Sequence, residues 1–302
     1  LAKKCFLNTI ETTVKRLDDD SFFVITGDIP AMWLRDSAAQ VKPYIKYAGE
    51  DRKLCRIIKG IIRKQEEMVC IDPYANAFNE SADGAGHKDD TKSNDSVWER
   101  KYEVDSLCAP LYLSWQFWKE TGEADIFDKK NLEMLHKILK VFITEQHHET
   151  SEYFFRRRDC GETDTLPMEG KGNPTAYTGM TWSGFRPSDD RCVYGYLIPA
   201  NMMAAAALAY AEEICRTVYQ NEELAGRCQK LSKEIREGIE KYGVVHHEKY
   251  GDIYAYETDG MGHHILMDDA NSPSLLAIPY LGYKDASDET YRNNNKDCPP
   301  TG

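Results

Sequence analysis

"KLCRIIKGIIRKQEEMVC", residues 53–70, decides the fold. Leu54, Ile57, Ile58, Ile61, Ile62, Met68 and Val69 recur at the i, i+3, i+4, i+7 spacing of one buried helical face, and lysines and arginines fill the other. "NLEMLHKILKVFI" (131–143) repeats the pattern with Leu132, Leu135, Ile138, Leu139 and Phe142. "EELAGRCQKLSKEIREGIEKYG" (222–243) does so with Leu224, Cys228, Leu231, Ile235 and Ile239, and Gly243 suits a C-terminal stop. By contrast, "DSLCAPLYLSWQFWKETGE" (105–123) and residues 197–218 are apolar on more than one side. Amphipathic helices alternating with thoroughly apolar ones predict two helical layers in one all-α domain over residues 1–302. Strand signals are short and isolated: "SFFVITG" (21–27), "SEYFFRR" (151–157) and "GDIYAYETDG" (251–260) read as hairpins in the connections.

Composition narrows the function. The chain has 302 residues, 41% hydrophobic and 29% charged, and its longest apolar run, "MMAAAALAYA" (202–211), is too short to span a bilayer and reads as a buried helix. A formal net charge of −12 repels nucleic-acid phosphates, and "RRR" at 156–158 is too short to offset it, so a neutral or cationic ligand suits the field better. Nine cysteines form no CxxC pair, which argues against zinc-ribbon and thioredoxin folds. Cys55, Cys70, Cys108, Cys215 and Cys228 lie in helical apolar patterns and read as buried thiols, which favours a reducing cytoplasm. A removed N-terminal signal would instead permit a secreted or periplasmic protein, since the chain begins at Leu1. Sequons at Asn79 and Asn94 occur at a frequency that chance explains.

The chemistry is expected in the irregular segments. Residues 72–98 and 160–187 are long, rich in Gly, Pro, Asn and Asp, and of the kind that is usually functional or disordered; Tyr, Trp and Met in the second argue for order. "TGDIPAMWLRDSAAQ" (26–40) turns at Gly27-Asp28 and reads as a loop carrying Trp33, Arg35 and Asp36 up to a helix start capped by Asp36 or Ser37. A structural Arg35–Asp36 ion pair is the bland alternative. Four further stretches share this polar-plus-aromatic character: "WERKYEVDS" (98–106), "GMTWSGFRPSDD" (179–190), "YGYLIPAN" (194–201) and "GHHILMDDANSPS" (262–274). Each precedes or enters a helix-like run. Such a mixture suits a neutral sugar, with carboxylates, Arg and Asn on the hydroxyls and aromatic faces on the C–H surface. Two carboxyl groups then suffice for hydrolysis, one protonating the departing oxygen. Asp189 and Asp190 are the acid candidates; the alternative is that Ser188, Asp189 and Asp190 merely cap a helix. His263-His264 with Asp268-Asp269 lacks any metal-binding spacing, and His147-His148 and His246-His247 read as surface or helix-end residues. No GxGxxG, P-loop or GxSxG motif is present.

Together, "TGDIPAMWLRDSAAQVKPYI", "VWERKYEVDSLC", "GMTWSGFRPSDD", "YGYLIPANM" and "LMDDANSPSLLAIPYLGY" resemble glycoside hydrolase family 125, the exo-α-1,6-mannosidases. The resemblance implies an (α/α)6 toroid, six inner helices ringed by six outer ones, that releases terminal non-reducing α-1,6-linked mannose from mannose-containing glycans. It further implies inversion of configuration and neither metal nor cofactor. One of Asp189 and Asp190 is then the general acid. Trp33, Arg35, Asp36, Asp28, Glu99, Arg100, Asp105, Arg186, Asp268, Asp269 and Asn271 match substrate-binding positions, with Trp33, Trp182 and Phe185 as walls. The family's general-base glutamate lies beyond "PYLGY" and has no counterpart here, so a C-terminally incomplete domain lacking its last helices is expected. A mannoside-binding protein without turnover, or another glycosidase on the same toroid, are the competing expectations.

Overall fold

A computed structural model describes residues 2–91 and 94–296. The chain forms two compact units, one of Leu1–Tyr102, Ser106–Val141 and Glu213–Glu222, the other of Glu103–Asp105, Phe142–Glu212 and Glu223–Gly302. The expected helices are present as Arg52–Ile71, Val104–Thr121, Lys129–Glu145, Ile198–Thr217 and Glu222–Gly238. No helix among the described residues is long and apolar enough to cross a membrane.

In the first unit, Asp51 caps helix Arg52–Ile71, its carboxylate accepting from Lys53 N at 2.8 Å and Leu54 N at 3.1 Å. The predicted apolar face, Ile57, Ile58, Ile61, Ile62, Met68 and Val69, is buried. Gly60 lies on the same side because the helix runs against the hairpin of strands Val14–Arg16 and Phe22–Val24: a Cβ there would stand 2.3 Å from the Phe22 ring. Strands Met32–Trp33, Ala77–Phe78 and Val97–Glu99 form a second antiparallel sheet, with Trp33 opposite Ala77 and Ala77 opposite Glu99. This sheet is absent from the sequence expectation because its strands are two or three residues long. Asn79 is buried, and its amide donates to Ala85 O at 2.8 Å and Asp95 O at 2.9 Å.

In the second unit, Ala204, Ala205, Ala206 and Ala207 are buried, and these small side chains let helix Glu222–Gly238 approach closely enough for Ser232 Oγ to donate to Ala205 O at 2.7 Å. Strand Glu257–Thr258 is the centre of a three-stranded sheet, between Tyr196–Leu197 and His264–Ile265. Val244–His247 pairs with Gly251–Tyr254. The segment 151–157, expected as a strand, belongs to no named strand; its Phe155 N bonds Gly170 O at 2.9 Å. All five cysteines expected as buried thiols are buried, as is Cys192; Cys298 lies outside the described residues.

Candidate active site

The first unit holds the "WLRD" stretch. The helix begins at Leu34 rather than at Asp36, with extended Trp33 in the capping position and no side-chain cap. The reason is on the buried side: Gln65 Nε2 donates to Leu34 O at 3.1 Å and to Ser37 Oγ at 2.8 Å, holding the first turn, and Leu34 N is taken by Asn76 O at 3.0 Å. Arg35 and Asp36 therefore sit in the first helical turn and not on a loop. They form an ion pair, Nη2 to Oδ2 at 3.5 Å, with Arg35 more buried than Asp36. Trp33 is half-buried, and Asp28 lies on an exposed turn. Glu99 is brought beside this stretch by the sheet: Asn76 Nδ2 donates to its Oε2 at 3.2 Å, and Lys101 Nζ lies 4.0 Å from its Oε1. Arg100 is committed elsewhere in the unit, its Nε on Asp72 Oδ2 at 2.6 Å and its guanidinium over the Tyr74 ring.

The second unit holds the "RPSDD" stretch. No helix starts there, so the capping alternative does not apply. Instead residues 183–195 make an irregular hairpin: Phe185 bridges Arg191, Ser183 N bonds Gly195 O at 2.8 Å, and Cys192 N bonds Gly184 O at 2.8 Å. Its tip is closed by Arg186 N to Asp190 O at 2.8 Å and Asp189 N to Arg186 O at 3.0 Å. Asp189 adopts a φ of 67°, a left-handed conformation that Asp tolerates better than most side chains. Asp189 is exposed and Asp190 half-buried, so both candidate acids stand at the solvent end of a pinned turn.

The turn is gripped by Glu257. Glu257, fully buried, accepts from Arg186 Nε at 2.6 Å through Oε1 and from Val193 N and Tyr194 N, each at 2.8 Å, through Oε2. Burial alone would push the Arg186 guanidinium down, but the Glu257 carboxylate outweighs it and raises it above its usual value. The Ser188 side chain lies beside the Asp269 carboxylate, its hydroxyl forming no hydrogen bond. Burial tends to raise the Asp269 carboxyl, yet donation from Asn271 N, Asn271 Nδ2 and Tyr256, with the Ser188 hydroxyl nearby, holds it below the usual carboxylate range. Two of the predicted stretches, "RPSDD" and "LMDDANSPS", thus meet. Asp268 caps its own loop, accepting from Leu275 N at 2.8 Å and Leu276 N at 2.9 Å. Asp105 is buried at the start of helix Val104–Thr121, where Val104 N donates to Ser183 Oγ at 3.2 Å.

Three expectations change here. Trp182 and Phe185, expected as walls, are 1% and 0% exposed. Trp182 stacks on His148 with centroids 3.5 Å apart, and Phe185 packs edge-on against Phe155, so both support the hairpin from inside. His148, expected at the surface or a helix end, follows the end of helix Lys129–Glu145 but is buried beneath that ring, with Nδ1 2.6 Å from Glu145 Oε2 and Nε2 2.7 Å from Lys171 O. His263 faces Asp259, Nδ1 to Oδ2 at 2.6 Å, and Asp268 is held by its own loop; these residues do not converge on a metal position. Glu257 is the residue the sequence reading missed. Its signal is faint: one charge inside the aromatic run "YAYET" (254–258), where alternation alone would place a polar residue at the surface.

Residues 1–298 match the family described as metal-independent alpha-mannosidase (GH125). A Streptococcus pneumoniae structure from a family of metal-independent alpha mannosidases, a non-productive substrate complex with alpha-1,6-mannobiose, is 46% identical. It aligns with a TM-score of 0.95 over 97% of this chain and 70% of that one. The "Meiotically up-regulated gene 157 protein" of Schizosaccharomyces pombe is 37% identical over 319 residues, 98% of this chain. The chain spans 62% of that relative's length. The helix-rich fold with carboxylates on pinned loops thus matches a glycoside hydrolase family. The chain belongs to the metal-independent alpha-mannosidase family GH125.

Proposed function

We propose that this chain is the catalytic part of an exo-acting hydrolase that removes terminal non-reducing α-1,6-linked mannose with inversion, on the (α/α)6 toroid implied by the family resemblance. The observation that carries this reading is the pinned turn that holds Asp189 and Asp190 at the solvent end of the 183–195 hairpin. The mannobiose bound by the S. pneumoniae relative supports the choice of linkage.

In the proposed reaction, one of Asp189 and Asp190 gives its proton to the glycosidic oxygen as the bond to the anomeric carbon breaks. Water attacks the anomeric carbon from the opposite face as that bond breaks, inverting the configuration, and a second carboxylate roughly 6.5–9.5 Å from the first takes the water's proton; the resemblance supplies no counterpart of that base among these residues. Taken unit by unit, the resemblance supports a substrate-binding role for Arg35, Asp36, Trp33, Asp28 and Glu99 in the first and for Arg186, Asp105, Asp268, Asp269 and Asn271 in the second; Arg100 acts through its ion pair with Asp72. Trp182 and Phe185 are assigned to the support of the acid-bearing hairpin.

The test is proton NMR of the protein with α-1,6-mannobiose, following the anomeric signals. β-Mannose appearing first supports the reading. α-Mannose first would make the enzyme retaining, binding without cleavage would make the chain a mannoside-binding protein, and cleavage only of other glycosides would replace the substrate.

A further inference from the structure

Glu257 is fully buried and spans both arms of the hairpin that carries the candidate acids. One oxygen accepts from Arg186, the residue immediately before the tip; the other accepts from the amides of Val193 and Tyr194 on the returning arm. The tip hydrogen bonds of Arg186 with Asp189 and Asp190 lie between these anchors. A buried ion pair gains little net stability over an apolar pair of the same size, because desolvation offsets most of the Coulomb attraction. A carboxylate that fills its acceptor sites with a guanidinium and two amides of one hairpin does fix geometry, however, since each bond has a preferred direction and a length near 2.8 Å. Glu257 itself is fixed in a central strand, with Leu197 and Ile265 opposite it.

We propose that Glu257 is a positioning residue for the general acid: it sets where the carboxyls of the tip stand relative to the departing oxygen, and exchanges no proton itself. This rests on the reading above, in which one of Asp189 and Asp190 protonates that oxygen. Proton transfer requires the acid within about 2.6–3.2 Å of its acceptor. A displacement of about 1 Å is enough to cost on the order of 100-fold in rate.

The experiment uses Glu257→Gln, whose single carbonyl oxygen can accept from the two amides or from Arg186 but not from both arms at once. Turnover is measured on α-1,6-mannobiose, which needs protonation of its leaving group, and on dinitrophenyl α-mannoside, which does not. The expected result is a fall in kcat of about 10- to 100-fold on mannobiose with KM little changed, and a fall of less than about 3-fold on the dinitrophenyl substrate. Equal losses on both substrates, or a rise in KM alone, would overturn the proposal while leaving the mannosidase reading standing. Absence of wild-type turnover on either mannoside would remove that reading and the positioning role with it. Should the Gln variant fail to fold by circular dichroism, Glu257→Asp, whose carboxylate is one methylene shorter and cannot reach both arms at once, must show the same split between substrates; without the split the proposal fails.

Discussion

Replacing Glu66 by Gln is expected to stabilise the protein in alkaline solution and to leave it nearly unchanged in acid. Glu66 lies on helix Arg52–Ile71, is 1% exposed, and accepts from Asn131 Nδ2 at 2.7 Å, while the Tyr219 hydroxyl donates to Asn131 Oδ1 at 2.8 Å. Burial, reinforced by nearby Asp128, raises its pKa to about 8 against the lowering effect of Asn131, Arg63 and Lys130. The unfolded chain restores the ordinary value of 4.5. A raised folded-state pKa contributes stability that is fully present below pH 4.5 and is lost as pH rises through 8. At about 1.4 kcal/mol per pH unit, the loss across this window approaches about 5 kcal/mol, with about 2 kcal/mol as the lower bound for an interior that relaxes around the charge. Gln has the same shape, still accepts from Asn131, and never ionises. Urea unfolding of wild type and Glu66→Gln at pH 5, 7 and 9 should therefore give curves that agree within about 1 kcal/mol at pH 5 and diverge by about 2–5 kcal/mol at pH 9, with the variant the more stable. Parallel pH dependence, or a variant less stable than wild type at pH 9, would refute the reasoning.

Replacement of the true acid among Asp189 and Asp190 by Asn should slow mannobiose cleavage by about 100-fold or more and a dinitrophenyl mannoside much less; full activity in both variants would remove the acid assignment. Arg35→Ala should impair mannobiose binding and turnover together, read by calorimetry and steady-state kinetics. Gly60→Ala should lower the melting temperature, because the added methyl meets the Phe22 ring, with an overpacking cost of about 1–3 kcal/mol that exceeds the gain of up to about 1 kcal/mol in helix propensity. Asp51→Ala should cost about 1 kcal/mol in chemical unfolding by removing the cap on Lys53 and Leu54.

The helices were legible because their signal is local: burial of Ile57, Ile58, Ile61 and Ile62 follows from spacing within a single turn or two. The small sheets were not, since pairs such as Trp33 with Ala77 and Tyr196 with Thr258 join short segments far apart in the chain. Within the candidate site, the residue types were readable and their partners were not. Arg186 was identifiable as polar equipment beside two aspartates, but its partner Glu257 lies 71 residues away. Trp182 and Phe185 illustrate the opposite error: an aromatic in an irregular segment can serve a ligand or the loop's own interior, and composition does not distinguish the two. The early start of the helix at Leu34 has the same origin, because Gln65 and Asn76, which hold its first turn, belong to other elements.

The buried amide of Asn79 makes a folded loop and a glycan at that sequon mutually exclusive. The nitrogen that would carry the sugar already serves the carbonyls of Ala85 and Asp95. In a glycosylating host, closure of this loop would compete with the transferase, each outcome foreclosing the other. Molecules that win the race leave the compartment bare at Asn79, and molecules that lose it carry a mass tag marking a loop that never closed.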